Sequence, residues 1–386
     1  MEPPRSLHPD RAITGSQVQP TANNAYLRRP TTPGNVPELV FASHHPIAGM
    51  RRLFEFIFLL GSVISLSVGR SSTKPPPGAV LVKPGTTVTG EFTNLGDALN
   101  ALPADDTTQV VFVYPGTYAG QVNVSRPGPV TIMGYTENAF DFAQNTVTLV
   151  HSAALATGAA SDDLTGTLRV LSNNVSLYNL DIRNDFGVAF TNGQAIALSN
   201  QGDQVGMYAC RLFSYQDTLY TNVGNHVYLM SYIEGAVDFI FGRHSIAYFE
   251  RNTIASKGAG CVTASGRELN DTGIYVFNEN QVIAAPDAFP ERHWEYWARV
   301  IFKNTFIPAP MNKTIWSIWD PGDDRTDFVL LAEYNSFGPG VVGAHRPNFS
   351  TILDREEAAQ YSLESAIPNY RDWVDTEYLL PELLEN

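Results

Sequence analysis

The sequence predicts an all-β protein that folds as a parallel β-helix with short capping helices. A pattern recurs through the middle of the chain: an apolar stretch, a small or Asn-type residue, one variable residue and a further apolar residue. The copies are LYNLDI (177–182), MYACRL (207–212), LMSYI (229–233), FERNTI (249–254), FNENQV (277–282) and FKNTF (302–306). The shared position advances by 30, 21, 21, 28 and 24 residues. Such a period is typical of solenoids, in which each repeat stacks on the previous one.

Composition agrees with short strands and many turns. The 386-residue chain is 44% apolar and 17% charged, and it contains 30 glycines and 25 prolines. This apolar fraction supports a sizeable core, while the glycines and prolines favour turns over long helices. The rival fold is a β-sandwich, which would require more hairpin dipeptides of the Asn-Gly kind between adjacent apolar runs than the sequence contains.

Stacked coils bring equivalent residues together at strand spacing, about 4.8 Å. Asn252, Asn280 and Asn304 share the repeat position and are predicted to form an internal amide ladder. Cys210 occupies the same position and is interpreted as a buried free thiol. The alternative is a disulfide between Cys210 and Cys261, which are 51 residues apart.

Both ends of the predicted solenoid carry helical composition. Residues 90–101 (GEFTNLGDALNA) predict a short N-terminal capping helix. Residues 355–366 (REEAAQYSLESA) predict a helix with Asp354 as its N-cap. Because an open solenoid end exposes apolar surface, we expect both segments to cover the coils.

Three segments precede the predicted folded domain at 85–386. Residues 1–49 are expected to be disordered or a gene-model extension. Residues 50–69 combine two arginines, an apolar run and a small-residue exit, which is typical of a secretory signal peptide; a signal anchor is the alternative. Residues 70–84 predict a linker. Five sequons agree with a secreted, extracellular glycoprotein: Asn123, Asn174, Asn270, Asn312 and Asn348.

The charge and the metal-ligand residues exclude some partners. A formal net charge of −14 leaves no basic surplus to neutralise phosphates, so nucleic acid is not expected as a partner. The two cysteines and eight histidines form no cluster at metal-ligand spacing, and no metal site is expected. We expect a monomer that has no membrane contact in its mature form.

The repeat period also pairs polar residues. Gln194 and Gln216 are 22 residues apart, and Asp217 and Asp238 are 21 apart. Two carboxylates on adjacent coils would have unequal pKa values, as an acid and nucleophile pair requires. Two amides aimed at one point would form an oxyanion hole. Tyr220 and its aromatic neighbours predict a sugar platform.

The motifs around these residues resemble those of the pectin methylesterase family. The matching segments are PGTY (115–118), GQAIAL (193–198), YQDTLY (215–220), IEGAVDFIFG (233–242), TASGR (263–267) and RHW (292–294). The resemblance spans about 85–350, and the ten-residue block around Asp238 is its most specific part. No long helical domain precedes the catalytic region, so the resemblance is to the microbial or fungal type without an inhibitor-like pro-region.

The resemblance implies a right-handed β-helix with a shallow cleft, and hydrolysis of galacturonate methyl esters in pectin with release of methanol. By this resemblance Asp238 is the nucleophile and Asp217 the general acid and base, while Gln194 and Gln216 are the oxyanion donors. Arg292 holds the nucleophile ionised. The resemblance also implies that no cofactor takes part and that three residues contact substrate: Trp294, Phe241 and Val237.

Two departures from the family pattern leave alternatives open. The family's LGRPW element reads PERHW (290–294) here, and Glu291 is expected to compete for Arg292. The family's FGN reads FGR, so Arg243 and His244 could add positive charge for galacturonate carboxylates. The alternative functions are a related β-helix with reduced or changed esterase activity, and a non-catalytic solenoid that binds cell walls.

Overall fold

Three long parallel sheets run side by side and form a right-handed parallel β-helix, which confirms the predicted fold. The computed structural model describes residues 72–309 and 311–379. Strands are numbered β1 to β27 in chain order. Within the described residues the first sheet contains β1 (Val80–Val82), β2 (Glu91–Phe92), β3 (Gln109–Val113), β6 (Val130–Gly134), β9 (Val175–Tyr178), β12 (Val205–Tyr208), β15 (Val223–Leu229), β18 (His244–Glu250), β21 (Ile274–Asn278), β24 (Arg299–Lys303), β26 (Leu330–Tyr334) and β27 (Ser350–Ile352).

The two other sheets complete each coil. The second sheet contains β4 (Gly116–Ala119), β7 (Val147–His151), β10 (Leu180–Asn184), β13 (Arg211–Phe213), β16 (Tyr232–Gly235), β19 (Thr253–Ser256) and β22 (Gln281–Ile283). The third sheet contains β5 (Val122–Val124), β8 (Leu168–Val170), β11 (Leu198–Asn200), β14 (Leu219–Thr221), β17 (Ile240–Gly242), β20 (Gly260–Ser265), β23 (Ala288–Arg292) and β25 (Trp316–Ser317). Successive strands of a sheet come from successive coils, so residues one coil apart are neighbours.

In the six coils that contain β9, β12, β15, β18, β21 and β24, the chain passes from the first sheet toward the second through a single residue with positive φ. These residues are Asn179 (53°), Ala209 (46°), Met230 (50°), Arg251 (55°), Glu279 (54°) and Asn304 (49°). The next residue in each coil is buried, and this interior row is Leu180, Cys210, Ser231, Asn252, Asn280 and Thr305. A residue in the left-handed conformation bends the chain from one sheet toward the next within a single position. The sequence pattern that marks this bend is therefore only a few residues long.

The predicted amide ladder exists, with one correction. Asn252 accepts a hydrogen bond from the backbone N–H of Ser231 (2.8 Å) and donates its amide to Asn280 Oδ1 (3.0 Å). Asn304 is not in this ladder, because it is itself the left-handed turn residue and Thr305 takes the interior position. The Asn304 side chain instead bonds a neighbouring turn asparagine on the outer side, Asn335 (2.9 Å).

Removing the middle rung of the ladder is expected to destabilise the fold. Asn252→Ala leaves the buried N–H of Ser231 without its acceptor. It also removes the hydrogen bond that the Asn252 side-chain amide donates to the carbonyl of Tyr228. We expect the free energy of unfolding to fall by about 3 kcal/mol in denaturant titration. The control Asn304→Gly should cost less than about 1 kcal/mol, because that side chain is outside the interior row and glycine keeps the left-handed turn without strain. Equal losses would contradict this role of the ladder.

The interior also holds a column of aromatic rings and a buried thiol. Tyr228, Phe249, Phe277 and Phe302 stack on successive coils with ring centroids 4.6, 4.3 and 4.4 Å apart. Cys210 is fully buried, and burial raises the pKa of its thiol to about 12. No disulfide joins Cys210 to Cys261. A thiol that stays protonated inside the core packs as a small apolar side chain.

Short helices cover the coils, as predicted. Helix α1 (Leu95–Asn100) begins after its N-cap Asn94, later than expected, because residues 91–92 form β2. Helices α2 (Arg355–Ala359) and α3 (Leu363–Ala366) follow, and Asp354 caps α2 through a capping box. Single 3₁₀ turns are Phe142–Gln144, Leu155–Thr157, Asp163–Thr165, Pro339–Val341, Tyr370–Asp372 and Thr376–Tyr378. No helix within residues 72–309 and 311–379 is long and apolar enough to cross a membrane.

The N-terminal predictions fall largely outside the described part of the chain. The segments 1–49 and 50–69 lie wholly outside it. Strand β1 pairs with β3 and lies within the segment 70–84, which was expected to be a linker. Ser72 also forms a β-bridge with Thr136. The first coil therefore begins before residue 85.

Candidate active site

Asp217 and Asp238 lie next to each other on adjacent coils. Each precedes a strand of the third sheet, and the residues before them, Gln216 and Val237, form a parallel β-bridge. The backbone N–H of Asp217 donates to the carbonyl of Val237 (3.1 Å). Both aspartates have left-handed backbone conformations, with φ of 62° and 48°. Asp tolerates this region better than most residues, so the geometry itself favours Asp at both positions.

Arg292, at the end of β23, pairs with only one of the two carboxylates. Its Nη2 donates to Asp238 Oδ2 at 2.5 Å, with the Asp238 side chain 13% exposed. Burial raises the pKa of Asp238, while the Arg292 guanidinium acts in the opposite direction. Within the described residues Asp238 Oδ1 is buried and has no hydrogen-bond partner. One oxygen is thus held by the cation, and the other makes no hydrogen bond within this part of the chain that would reduce its nucleophilicity.

Asp217 favours the protonated state more strongly than Asp238 does. Burial, followed by the charge of Asp238, raises the pKa of Asp217 well above its ordinary value. Arg292 and a hydrogen bond from the Gln216 side chain oppose this only in part. Because the guanidinium bonds Asp238 directly, the first proton is lost from Asp238 and Asp217 keeps its own. The pair therefore combines a carboxylate with a carboxylic acid.

The two glutamines belong to the same coils as the aspartates. The N–H of Ala195 donates to the carbonyl of Gln216 (3.1 Å), just as the N–H of Asp217 donates to that of Val237. This bond places Ala195 beside Asp217, and therefore Gln194 beside Gln216, as the spacing of 22 predicts. Gln194 Oε1 is buried and has no hydrogen-bond partner among the described residues. Both amides are partly exposed at the surface of the cleft.

Aromatic side chains of the third sheet lie near the carboxylates, with Tyr220 partly exposed and Phe241 buried beneath the surface at 3% exposure. Tyr220 and Phe241 are register partners, and their rings stack at 4.4 Å with an interplanar angle of 3°. Trp294 packs against the same cluster. Val237 is partly exposed beside Gln216. The structure thus brings all nine sequence-predicted site residues into one region around the aspartate pair.

The altered pentad (290–294) is ordered around a buried histidine. His293 is fully buried, and its Nε2 bonds the carbonyl oxygen of Asp324 (2.7 Å). Burial lowers the pKa of His293, so the ring stays neutral. The side chain of Glu291 lies outside the described part of the chain, and its expected competition for Arg292 stays a prediction. Its backbone pairs with Thr263.

The positive charges suggested at Arg243 and His244 have acidic partners. Arg243 pairs with Glu268 (2.7 Å) and its guanidinium lies 3.9 Å from the ring centroid of Trp294. His244 pairs with Asp271. Arg243 therefore orders the tryptophan, and neither residue presents an uncompensated charge to galacturonate.

Two residues near the site were missed by sequence reasoning. Trp319 lies under Arg292, with the guanidinium 4.4 Å from its ring centroid. It lies just after β25, outside the six repeat copies, and has no motif to mark it. Asp162 is partly buried, and its charge raises the pKa of Asp217 and Tyr220. The adjacent acids Asp162 and Asp163 are its only sequence signal.

A parallel β-helix that holds two neighbouring carboxyl groups with unlike surroundings beside aromatic side chains has the features of a hydrolase that uses a carboxylate and a carboxylic acid. Residues 80–369 match the family model described as Pectinesterase, and the chain belongs to the pectinesterase family. It is therefore a carboxylic ester hydrolase.

Individual relatives agree with this assignment. The chain is 38% identical over 326 residues to a pectinesterase of Aspergillus aculeatus, covering 81% of this chain and 96% of the relative. It is 32% identical to the solved pectin methylesterase of Aspergillus niger in deglycosylated form, with a TM-score of 0.72 and coverage of 80% and 100%. A pectin methylesterase from carrot shares the fold at 21% identity, with a TM-score of 0.70 and coverage of 81% and 98%. The similarity is thus to fungal relatives along nearly their whole length.

Proposed function

We propose that this chain hydrolyses the methyl esters of galacturonate units in pectin and releases methanol and demethylated pectin. The observation that carries this proposal is that Arg292 bonds Asp238 directly, while burial and the neighbouring Asp238 charge raise the pKa of Asp217 on the adjacent coil. This asymmetry gives the two neighbouring carboxyl groups different chemical roles.

The first half-reaction forms a covalent intermediate. Asp238 Oδ1 attacks the ester carbonyl carbon, and the negative charge that develops on the carbonyl oxygen is stabilised by the amides of Gln194 and Gln216. Asp217 donates its proton to the methoxy oxygen as the C–O bond breaks, and methanol leaves. The products of this step are an anhydride between Asp238 and the galacturonate, and an ionised Asp217.

The second half-reaction restores the enzyme. Asp217, now a carboxylate, takes a proton from water, and the hydroxide attacks the galacturonate carbonyl carbon of the anhydride. The bond to Asp238 breaks, so Asp238 returns as a carboxylate and Asp217 is again protonated. Tyr220, Val237 and Trp294 offer the partly exposed apolar surface on which the sugar rings lie, and the buried Phe241 supports the Tyr220 ring.

We also propose that the protein is a secreted, monomeric glycoprotein that acts on extracellular pectin. The basic and apolar pattern of residues 50–69 supports export. Four sequon asparagines are exposed on the coils and turns: Asn123, Asn174, Asn270 and Asn348. N-terminal sequencing and glycosidase treatment of protein from the culture medium would test this. Protein retained in cells without glycan would contradict it.

The test of the esterase proposal is methanol release from methylated pectin, measured as a pH profile for the wild type and Arg292→Gln. Asp238 must be ionised to attack, and Arg292 favours its ionised form. Removing the guanidinium raises the pKa of Asp238, so we expect the acid limb of the profile to move to higher pH. At acid pH kcat/KM should fall about 10²-fold, with partial recovery as pH rises.

A second arginine provides the control. Arg325 also stacks on Trp319, at 4.8 Å, but pairs with Asp323 instead of a site carboxylate. Arg325→Gln should therefore leave the acid limb in place even if kcat changes. If the acid limb of Arg292→Gln coincided with that of the wild type, Arg292 would not control the nucleophile. Absence of methanol release by the wild type would overturn the proposed function.

A further inference from the structure

The segment that leads into the active site presents two apolar side chains to solvent. This segment, residues 185–192, connects β10 to Gln194 and is here named the lip. Phe190 is 106% exposed and Val188 is 67% exposed. Full exposure of a phenylalanine leaves a large apolar area in water, and such surface beside an active site is typical of a binding contact.

Both ends of the lip are fixed. Asn184, which is 3% exposed, donates its amide to the carbonyl of Ala153 (2.8 Å) and accepts from the N–H of Phe186 (3.2 Å). At the other end the carbonyl of Asn192 accepts from the N–H of Ala156 (2.8 Å). The lip is therefore held in place from both sides, and its exposed residues have a defined position on the cleft rim.

The middle of the lip borders the catalytic residues. A Cβ atom added to Gly193 would lie 3.4 Å from the carbonyl oxygen of Ala189 and 2.9 Å from Gln216 Oε1. Ala189 stands between Val188 and Phe190, so the backbone of the lip comes within one side-chain length of the Gln216 amide. The lip therefore lies close to Gly193 and to the Gln216 side chain, and Val188 and Phe190 flank the residue that makes this approach.

One further carboxylate, that of Asp162, lies near the aspartate pair. Asp162 lies close enough to Asp217 and Tyr220 for its charge to raise the pKa of both. The chain segment that contains Asp162 is bound to the residues that follow Gln194, because Thr165 Oγ1 accepts a hydrogen bond from the N–H of Ile196 (3.0 Å). A free galacturonate carboxylate beside Asp162 would be repelled, whereas an uncharged methyl ester would not.

We propose that the lip selects stretches of pectin in which the units next to the reacting ester are themselves methylated. Val188 and Phe190 contact the ester methyl groups of these flanking units, and Asp162 disfavours demethylated ones. The inference rests on the proposed function, because it names the form of pectin that the same site prefers. The enzyme thus acts first on highly methylated regions and leaves demethylated regions.

The test compares two pectins prepared from one parent polymer, highly methylated and sparsely methylated. For the double variant Val188→Ser with Phe190→Ser, kcat/KM on the highly methylated pectin should fall about tenfold, from the lost apolar contact. On the sparsely methylated pectin it should change by less than about twofold. Val342→Ser is the matched control, since Val342 is 70% exposed and follows a 3₁₀ turn far along the chain from the lip.

Binding of both pectins, measured by calorimetry, separates the two proposals. If the wild type bound the highly methylated pectin more tightly and the double variant lost that preference, the lip inference would stand even if no methanol appeared, and only the proposed function would fail. Methanol release with the same preference in wild type and double variant would overturn the lip inference and leave the esterase proposal intact. An equal loss in Val342→Ser would also overturn it.

Discussion

Replacing Asp238 by asparagine is expected to reduce methanol release from methylated pectin by at least about 10⁴-fold. The amide has nearly the same shape as the carboxylate but carries no negative charge to attack the ester carbonyl. The substitution also leaves the partly buried guanidinium of Arg292 without its carboxylate partner. The remaining side chains can bind the ester and stabilise the oxyanion, but they cannot form the covalent intermediate.

A matched substitution separates loss of the nucleophile from loss of an ion pair. Asp181 is 6% exposed and pairs with Arg211 at 2.5 Å, the same distance as that between Asp238 and Arg292. It lies on the second sheet, away from the cleft. Asp181→Asn should reduce stability and retain methanol release, while Asp238→Asn should retain the fold in thermal unfolding and lose the activity. Undiminished methanol release by Asp238→Asn would rule out the mechanism.

Asp217→Asn is expected to lower kcat by about 10² to 10⁴-fold, the range for loss of a general acid and base. The pKa of Asp217 is raised by burial and by Asp238, so its proton is present at pH values where Asp238 is already ionised. Asparagine can neither protonate the departing methoxy group nor accept a proton from water. Both half-reactions slow down. A better leaving group cannot restore the second one, because the alcohol has already left when water attacks the anhydride.

The pH profile and a change of leaving group give readouts that a structural role would not produce. Wild-type activity should fall on the basic side as Asp217 loses its proton, and this limb should be absent in Asp217→Asn. An ester whose alcohol leaves without protonation, such as a nitrophenyl galacturonate ester, should give a rapid burst of nitrophenol in the variant, followed by slow turnover. A variant that keeps the basic limb, or that shows no burst, would contradict the role of Asp217.

The sequence alone determined the coil and the neighbouring pair of aspartates. A step of 21 residues between Asp217 and Asp238 equals one coil, and in a parallel β-helix residues one coil apart must be neighbours. The repeat period therefore identifies which residues, separated along the sequence, are neighbours in space. The same argument predicted the rung between Asn252 and Asn280. It misplaced Asn304 by one residue, because the repeat length varies and only the backbone dihedral angles show which residue makes the turn.

Only the tertiary structure shows which residues from distant parts of the chain meet at the site. Arg292 is 54 residues from Asp238, and only folding shows that its guanidinium reaches this carboxylate while burial raises the pKa of Asp217. Trp319 and Asp162 reach the site from segments outside the repeat copies, and the lip with its exposed Val188 and Phe190 approaches Gly193 through Ala189. A repeat period fixes neighbours along the solenoid axis. Burial, and with it the protonation of each carboxyl group, depends on loops whose lengths follow no period.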